Sequence, residues 1–364
     1  MGRFAFIIHP LNTKDMVRKY PVARYLPGWV IEAVGLRMKP LLVSHITGIR
    51  SPHAETEGWF LGLTLTSRQM VSLPADLVIN KIINVARVGE RLGVDVLGLG
   101  AFTSVVGDAG VTISKNLGVS VTTGNSYTVA TALEGARKAA EFMGIDWDHA
   151  EIAVVGATGS IGKACSHILA RQARKMTLIG KDLGRLDHLA RQLVSSTGLT
   201  PRLSTDINRE LPKADIILAV SSAVDSIIHP EHLKPGAVVC DVARPRDVSV
   251  RVATARDDVL VIEGGVVEVP GQVDFGFNFG FPPGHAMACM AETMLLALEG
   301  RHENFTLGKD LTVRQIEEIS ALARKHGFRL AGLRSFDRAL DETELRRIRD
   351  RAARRKMIRG HASA

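Results

Sequence analysis

The chain has 364 residues, a length that predicts two domains, or one large domain with an appendage. Of these residues 46% are hydrophobic and 23% are charged, and these ordinary proportions argue against general disorder. No run of 18 apolar residues occurs, so no membrane-spanning helix is expected, and the amino terminus does not predict a signal peptide. Three scattered cysteines without a CxxC pair argue against a disulfide scaffold or a zinc module, so we expect no metal and a cytoplasmic protein.

The first part of the chain mixes strands and helices in no regular order. Apolar runs and helical periodicity predict the following elements: strands over residues 4–9, 41–48, 58–65 and 94–99, and helices over 75–92 and 126–143. Residues 1–145 are therefore predicted to form a smaller, separate α/β domain.

Short buried strands then alternate regularly with helices. The predicted elements are strands over residues 151–155, 176–179, 214–220, 237–241 and 259–262, and helices over 163–174 and 183–195. This alternation implies right-handed crossovers and a parallel sheet. The predicted fold class is α/β, with a doubly wound sheet of the Rossmann type over residues 146–275.

The last part of the chain is helical and ends in a strongly basic segment. Helices predicted over 284–299 and 312–326 form a section, 276–333, that we expect to pack back on the first domain. The tail 334–364 includes residues 345–359, with eight Lys/Arg against one Asp. It could attract a membrane surface or an acidic protein, or be a solvated terminus without a partner. No nucleic-acid module accompanies it, so nucleic acid is not an expected partner.

A glycine-rich loop follows the first strand of the parallel sheet. Its spacing is Gly-x-x-Gly-x-x-Gly, which lets the backbone approach a pyrophosphate at a helix amino terminus; the alternative is a tight turn without a ligand. We predict a dinucleotide site formed by this loop and by two residues after later strands: Gly156, Thr158, Gly159, Ser160, Ile161, Gly162, Ser221 and Gly264.

The end of the second strand distinguishes the two nicotinamide cofactors. An acidic side chain there would bind the ribose hydroxyls, whereas cations would bind a 2′-phosphate. Lys181 and Arg185 favour NADPH, Asp182 is a competing signal, and the two cations could also be ordinary surface charges.

Cys289 is the candidate nucleophile. Pro-Pro-Gly at 282–284 predicts that a helix begins near His285, which puts Cys289 in its first turns, where the dipole favours a thiolate. His285, four residues earlier, would share its helical face and act as a base or charge partner. A thiolate suits attack on a thioester. Cysteines on apolar helices are more often packing residues, as we interpret Cys165 and Cys240.

Two further segments are candidates for the substrate site. The polar loop at 122–128 is suited to capping a helix and to holding a substrate carbonyl, which makes Ser126 and Tyr127 candidate site residues. Four phenylalanines at alternate positions from Phe275 to Phe281 would share one face of an extended strand, as core or as the wall of an apolar channel.

These motifs resemble the long-chain acyl-[acyl-carrier-protein] reductases, known from cyanobacteria, which form fatty aldehydes. The resemblance runs from about residue 4 to 330 and is carried by these segments: 99–106, Thr-Thr-Gly-Asn at 122–125, 155–162, 264–268, Met-Ala-Cys-Met-Ala-Glu at 287–292, 294–296, 299–300, 304–305 and 325–328. The architecture is also similar to that of shikimate dehydrogenase and glutamyl-tRNA reductase.

The resemblance implies a two-step reaction. Cys289 would take the acyl group from the phosphopantetheine thioester of an acidic acyl carrier protein, and NADPH would reduce the acyl-enzyme to the aldehyde. The family has Thr-His where this chain has Ser126-Tyr127, so a histidine role there does not carry over. Two alternatives stay open: an NADP oxidoreductase of the shikimate dehydrogenase type without a covalent intermediate, and a non-catalytic nucleotide-sensing interaction protein.

Overall fold

The structure is a computed structural model. It describes residues 2–308 and 310–362, and for residues 18, 19 and 359–362 it describes the backbone only. The chain forms two compact units. Unit 1 comprises Met1–Tyr127, Val267–Asp310 and Glu317–Arg329, and unit 2 comprises Thr128–Val266, Leu311–Ile316 and Leu330–Ala364.

The first third of the chain alternates helices with strands of unit 1. In chain order the elements are β1 (Arg3–Ile8), α1 (Thr13–Lys19), α2 (Gly28–Arg37), β2 (Leu41–Arg50), β3 (Glu55–Gly62), α3 (Ser67–Ser72), α4 (Ala75–Arg91), β4 (Val96–Leu99), α5 (Val111–Lys115) and β5 (Ser120–Thr122). Short 3₁₀ helices cover Pro21–Tyr25 and Ala101–Ser104.

The middle of the chain forms most of unit 2. Its elements are α6 (Asn125–Phe142), β6 (Glu151–Val155), α7 (Ser160–Leu169), β7 (Lys175–Ile179), α8 (Leu183–Thr197), β8 (Arg202–Ser204), α9 (Ile207–Glu210), β9 (Ile216–Ala219), β10 (Val238–Asp241), α10 (Arg251–Ala255) and β11 (Leu260–Glu263).

The last hundred residues return to unit 1 and then to unit 2. The elements are β12 (Val266–Glu268), β13 (Gly271–Asp274), β14 (His285–Met287), α11 (Ala288–Leu298), α12 (Val313–His326), β15 (Arg329–Leu330), β16 (Arg334–Ser335), β17 (Arg338–Ala339) and α13 (Glu342–Ala362).

Unit 2 contains the predicted Rossmann-type sheet. Six strands lie in the order β11-β10-β9-β6-β7-β8 and pair in parallel throughout. All four residues of β9 and all four of β10 are buried, because helices cover both faces of such a sheet. The α/β fold class and the doubly wound order are therefore confirmed.

Unit 1 has a mixed six-stranded sheet in the order β13-β2-β3-β1-β4-β5. The pairs β1–β3, β1–β4 and β4–β5 are parallel, whereas β2 runs antiparallel to both of its neighbours. Helix α11 packs on β1, β3 and β4, as predicted for the late helices.

The divisions of the chain differ from those predicted. Helix α6 was assigned to a domain ending at residue 145, but all of it after Tyr127 belongs to unit 2. The segment 334–364 is part of unit 2 rather than a separate tail, because Leu345 and Ala352 of α13 are buried in its hydrophobic core. Acidic residues also hold this helix: Asp257 pairs with Arg351.

Two local expectations were wrong. The helix expected from residue 284 begins at Ala288, because residues 285–287 form β14, so His285 and Cys289 do not share a helical face. The phenylalanines do not form an extended strand, because Gly276 and Gly280 have positive φ angles of 61° and 100°. Three of the rings instead form a cluster with a ring of β3, and the cluster consists of Phe60, Phe275, Phe279 and Phe281.

Candidate functional site

The predicted cofactor loop of unit 2 depends on glycine for steric reasons. Gly156 has φ of +83°, and a Cβ added there would lie 2.7 Å from Cα of Ser221. A Cβ on Gly162 would lie 2.3 Å from the carbonyl oxygen of Gly156. Since neither position tolerates a side chain, the loop folds tightly against the amino terminus of α7.

The amino terminus of α7 offers main-chain donors. Gly159 is the residue before the helix and provides no side-chain cap. The first N–H groups of a helix, here those of Ser160, Ile161 and Gly162, have no acceptor within the helix, and the helix dipole adds positive potential. A dinucleotide pyrophosphate fits this loop, because the backbone approach and the donors are both present.

The basic residues after β7 lie at the same loop. The Arg185 guanidinium donates a hydrogen bond to the carbonyl of Thr158, with a distance of 3.0 Å. Asp182 caps α8, since one of its carboxylate oxygens accepts from the N–H of Arg185 at 3.0 Å. Lys181 and Arg185 are exposed. The structure thus brings Arg185 to the glycine loop and gives Asp182 a capping role.

Ser221 and Gly264, the other two predicted cofactor residues, are engaged within the protein. The hydroxyl and N–H of Ser221 donate to the Asp247 carboxylate at 2.5 and 2.9 Å. A Cβ on Gly264 would lie 2.6 Å from Val242, so that glycine permits close packing after β11. Burial, opposed by the Ser221 hydrogen bonds and aided by the charge of Asp241, raises the pKa of Asp247 to about 6.

Helix α11 of unit 1 carries Cys289 at its second position. The other ten residues of this helix are buried, whereas Cys289 is half-buried. An alanine- and leucine-rich helix that is apolar all round belongs in a core. Cys289 is therefore the partly exposed residue at the amino terminus of a core helix, where the helix dipole favours negative charge.

Gly124 packs directly on Cys289. It has φ of +74°, and a Cβ at this position would lie 2.3 Å from both Cα and Cβ of Cys289. Gly98 on β4 makes a similar approach, since a Cβ there would lie 2.2 Å from the hydroxyl of Thr293. Both glycines allow α11 to lie close against the sheet.

Glu292 lies one turn after Cys289 and is completely buried. One carboxylate oxygen accepts from the hydroxyls of Thr122 at 2.5 Å and Thr306 at 2.8 Å. The other accepts from the hydroxyl of Ser126 at 2.6 Å and the N–H of Tyr127 at 2.9 Å. These four donors satisfy the buried carboxylate and fix two chain segments to α11, namely residues 122–127 and Thr306.

Thr306 is held in an unusual conformation by this network. It is a β-branched residue with φ of +49°, which costs on the order of 1–3 kcal/mol. Its carbonyl accepts from the hydroxyl of Thr123 at 2.6 Å, and its own hydroxyl donates to Glu292. We infer that these hydrogen bonds maintain the strained conformation.

Two of the predicted catalytic residues, Ser126 and Tyr127, belong to this network. Ser126 is fully buried and Tyr127 is nearly so, and because the Ser126 hydroxyl donates to Glu292, it is not directed to a substrate carbonyl. His285 lies on β14, where its Nδ1 is 2.9 Å from the carbonyl of Pro283. A carbonyl only accepts, so Nδ1 carries the hydrogen and Nε2 of the neutral ring is the basic nitrogen.

The other two cysteines are core residues, as predicted. Cys165 and Cys240 are fully buried in unit 2. Burial raises the pKa of Cys165 to about 12 and raises that of Cys240 further. Among the described residues, no group of three His, Cys, Asp or Glu side chains could hold a metal ion.

The sequence interpretation missed the role of Glu292 and of Thr306. Glu292 belongs to the Ala-Cys-x-Ala-Glu motif, and its spacing from Cys289 was visible, but its donors lie far away along the chain. A carboxylate inside a strongly apolar helix was the available signal, because such a group must find partners when it is buried.

Comparison with known proteins gives a partial assignment. Residues 136–263, about a third of the chain, match the family model for shikimate / quinate 5-dehydrogenase. Aminotransferase PigE from Serratia sp. is 34% identical over 296 residues, which are 79% of this chain but 34% of that relative. The chain thus spans only about a third of PigE.

Two other proteins match a larger share of their own length. Long-chain acyl-[acyl-carrier-protein] reductase from Synechococcus elongatus is 28% identical over 304 residues, which are 79% of this chain and 87% of that protein. The solved structure of shikimate 5-dehydrogenase from Listeria monocytogenes has a TM-score of 0.37 and 12% identity, covering 88% of this chain and 96% of that one. The chain has homology to oxidoreductases and a Rossmann-type domain like that of shikimate dehydrogenase.

Proposed function

We propose that the protein reduces long-chain acyl thioesters of an acyl carrier protein or of coenzyme A to fatty aldehydes with NADPH. Cys289 forms a covalent acyl-enzyme in this reaction. The observation that carries the proposal is the position of Cys289, which is the half-buried residue at the amino terminus of an otherwise buried helix. The similarity to the Synechococcus reductase supports the same chemistry.

In the first step the Cys289 sulfur attacks the thioester carbonyl carbon. A new carbon–sulfur bond forms, the bond to the carrier's sulfur breaks, and the carrier thiol leaves with the proton. His285 takes the thiol proton at Nε2, since Nδ1 is committed to Pro283. The dipole of α11 favours the attacking thiolate.

Glu292 is a positioning residue in this scheme. It fixes the loop that contains Gly124 and Ser126 to the helix that carries Cys289. The Ser126 hydroxyl and the Tyr127 N–H act through this carboxylate. The sulfur is therefore held on a rigid support, as a nucleophile requires.

The cofactor is proposed to be NADPH, held by the glycine loop of unit 2. The amino terminus of α7 would hold its pyrophosphate, and Lys181 and Arg185 would bind the 2′-phosphate, because Asp182 already caps α8. When bound, the reduced nicotinamide would supply the hydride that releases the aldehyde and leaves Cys289 as the free thiolate.

The carrier is proposed to be an acidic protein. Helix α13 presents exposed cations, among them Arg347, Arg354 and Lys356. Because Leu345 and Ala352 of this helix are buried in unit 2, deleting residues 334–364 would disturb the fold. Charge reversal at the exposed positions leaves the fold intact. It therefore tests whether this basic surface binds a carrier protein or a membrane.

The experiment is intact-protein mass spectrometry after incubation with palmitoyl-carrier protein in the absence of NADPH. We expect a mass increase of one palmitoyl group, which disappears when NADPH is added. In Cys289→Ser the adduct should be absent, or it should persist when NADPH is added. Cys165→Ala, which removes a buried thiol with a raised pKa, is the matched control and should be acylated like the wild type.

The same experiment separates the alternatives. Absence of an adduct together with tight NADPH binding and turnover in Cys289→Ser would indicate direct hydride transfer, as in an oxidoreductase of the shikimate dehydrogenase type. Cofactor binding without turnover of any thioester would indicate a nucleotide-sensing protein. Either result would overturn the proposed acyl-enzyme.

A further inference from the structure

A solvent-exposed stretch of aromatic and aliphatic side chains runs from the end of α1 into the first turn of α2 in unit 1. We name residues 20–29 the aromatic segment. No residue of its 3₁₀ helix, Pro21–Tyr25, is buried. The exposed fractions of its large side chains are 36% for Tyr20, 74% for Val22, 72% for Tyr25, 46% for Leu26 and 73% for Trp29.

Such exposure has a physical meaning. The chain has only three tyrosines and three tryptophans, and the aromatic segment exposes two of the former and one of the latter. Single exposed apolar residues are normal on a protein surface, but a contiguous group of this size marks a binding surface. The segment therefore requires a partner that accepts aromatic side chains.

Helix α2, whose first two residues end the aromatic segment, is packed firmly in unit 1. Ile31 and Gly35 are buried, and a Cβ on Gly35 would lie 2.6 Å from the carbonyl oxygen of Thr64. Glu32 accepts hydrogen bonds from the side chains of Thr66 and Gln69 at 3.0 Å, through its carboxylate and its main-chain carbonyl respectively. The exposed Trp29 thus belongs to an anchored helix, and Tyr25 lies three residues before that helix.

The surroundings of the aromatic segment are basic. Residues 14–39 include six Lys/Arg and two acidic residues. Both acidic side chains are engaged within the protein, Asp15 in capping α1 and Glu32 on Thr66. Arg24 stacks on the Tyr25 ring, with its guanidinium carbon 4.6 Å from the ring centroid. Lys14, Arg24, Arg37 and Lys39 are exposed, and exposed aromatics in a basic segment are complementary to a negatively charged apolar partner.

We propose that the aromatic segment docks on the surface of an anionic lipid bilayer. Tyr and Trp side chains prefer the headgroup level of a membrane, and neighbouring cations are attracted to anionic lipids. No helix among the described residues is long and apolar enough to cross a membrane. The proposal does not rest on the reaction proposed for Cys289.

The first test is cosedimentation with vesicles of phosphatidylcholine mixed with phosphatidylglycerol, and with vesicles of phosphatidylcholine alone. We expect binding to the anionic vesicles that weakens with added salt. Tyr25→Ser/Trp29→Ser should reduce this binding by about tenfold or more, because it removes the interfacial side chains and leaves every charge in place.

The matched control is Met357→Ser/Ile358→Ser. These residues are 65% and 70% exposed on the basic helix α13, so the control changes apolar exposure by a similar amount in another basic surface. We expect it to bind vesicles like the wild type. Thermal melts of both variants should match the wild type, since all four side chains are exposed.

A second measurement locates the contact. Lipids brominated on their acyl chains should quench part of the wild-type tryptophan fluorescence, and Trp29→Phe should lose this quenching while it retains most of the binding. Trp59 and Trp147, which are half-buried, remain in that variant.

Three results would overturn the proposal. One is wild-type protein that binds neither kind of vesicle. Another is binding that is lost only in Met357→Ser/Ile358→Ser, which would make α13 the lipid surface. The third is self-association in solution that Tyr25→Ser/Trp29→Ser removes, without any lipid binding, which would make the aromatic segment a protein interface.

Discussion

Both units use glycine to bring two pieces of backbone together, but the pieces come from different distances along the chain. In unit 2, a Cβ on Gly162 would lie 2.3 Å from the carbonyl of Gly156, six residues earlier. In unit 1, a Cβ on Gly124 would lie at the same distance from Cys289, which belongs to a helix more than 150 residues later. The first contact is local and visible in a motif, whereas the second exists only in the folded chain.

The largest effect is expected where the long-range contacts meet, at Glu292. Glu292→Ala leaves three hydroxyls and one N–H without their acceptor in a buried site. We expect the free energy of unfolding to fall by about 3–5 kcal/mol, measured by urea denaturation. Glu268→Ala, which changes an exposed carboxylate of the same unit, should alter it by less than about 0.5 kcal/mol. Equal stability of the two variants would contradict the importance of the network.

The comparison also explains what the sequence could and could not predict. The apolar runs of unit 2 predicted five of the six strands of its parallel sheet and missed the three-residue edge strand β8. The glycine spacing located the loop, because a strand, loop and helix are consecutive. Helix α11 was predicted to begin too early, since nothing local shows that residues 285–287 form a strand. The four donors to Glu292 were not predicted, because Tyr127, for example, lies 165 positions before it.

The second prediction separates the two glycine contacts. Gly124→Ala should displace Cys289 and slow acyl-enzyme formation by about a hundredfold, the loss that a misplaced reactive group typically causes. Its NADPH affinity should stay within about threefold of the wild type. Gly162→Ala should show the opposite pattern, with weak NADPH binding and normal acylation by mass spectrometry.

The control for this pair is Gly144→Ala. Gly144 also has a positive φ angle, +67°, but a Cβ there would meet nothing within 4 Å. This variant carries the backbone strain without the clash, so both activities should persist. If Gly124→Ala acylated normally, the close packing on Cys289 would not matter for the reaction.

A third prediction compares the two buried carboxylates. Glu292 accepts four hydrogen bonds, whereas Asp247 receives two, both from Ser221. Burial raises the pKa of Asp247 to about 6, from an ordinary value of 3.8. The native state therefore holds this proton more tightly than the unfolded state, and stability falls as pH rises from about 4 to about 6.

The test is the free energy of unfolding as a function of pH, in wild type and Asp247→Asn. The wild-type loss from Asp247 across that range should be on the order of 2–3 kcal/mol. Asp247→Asn should flatten this slope. Asp241, whose pKa is also raised by burial, leaves a residual slope, so parallel curves for the two proteins would contradict the assignment to Asp247.

The smallest effect is expected at the exposed cations of unit 2. Lys181→Ala/Arg185→Ala removes the two charges proposed to meet the 2′-phosphate of NADPH. The dissociation constant for NADPH should rise about tenfold, because solvent-exposed charge pairs contribute little each, and that for NADH should not change. Calorimetric titration with both cofactors measures the ratio.

The matched control for this last variant is Arg191→Ala on the same helix, where Arg191 pairs with Asp187 and is similarly exposed. It removes one cation of α8 away from the loop and should leave both affinities unchanged. A parallel loss of NADPH and NADH affinity in Lys181→Ala/Arg185→Ala would show that Arg185 acts through its hydrogen bond to the Thr158 carbonyl. In that case the cation would support the loop shared by both cofactors, and the preference for NADPH would have to come from elsewhere in unit 2.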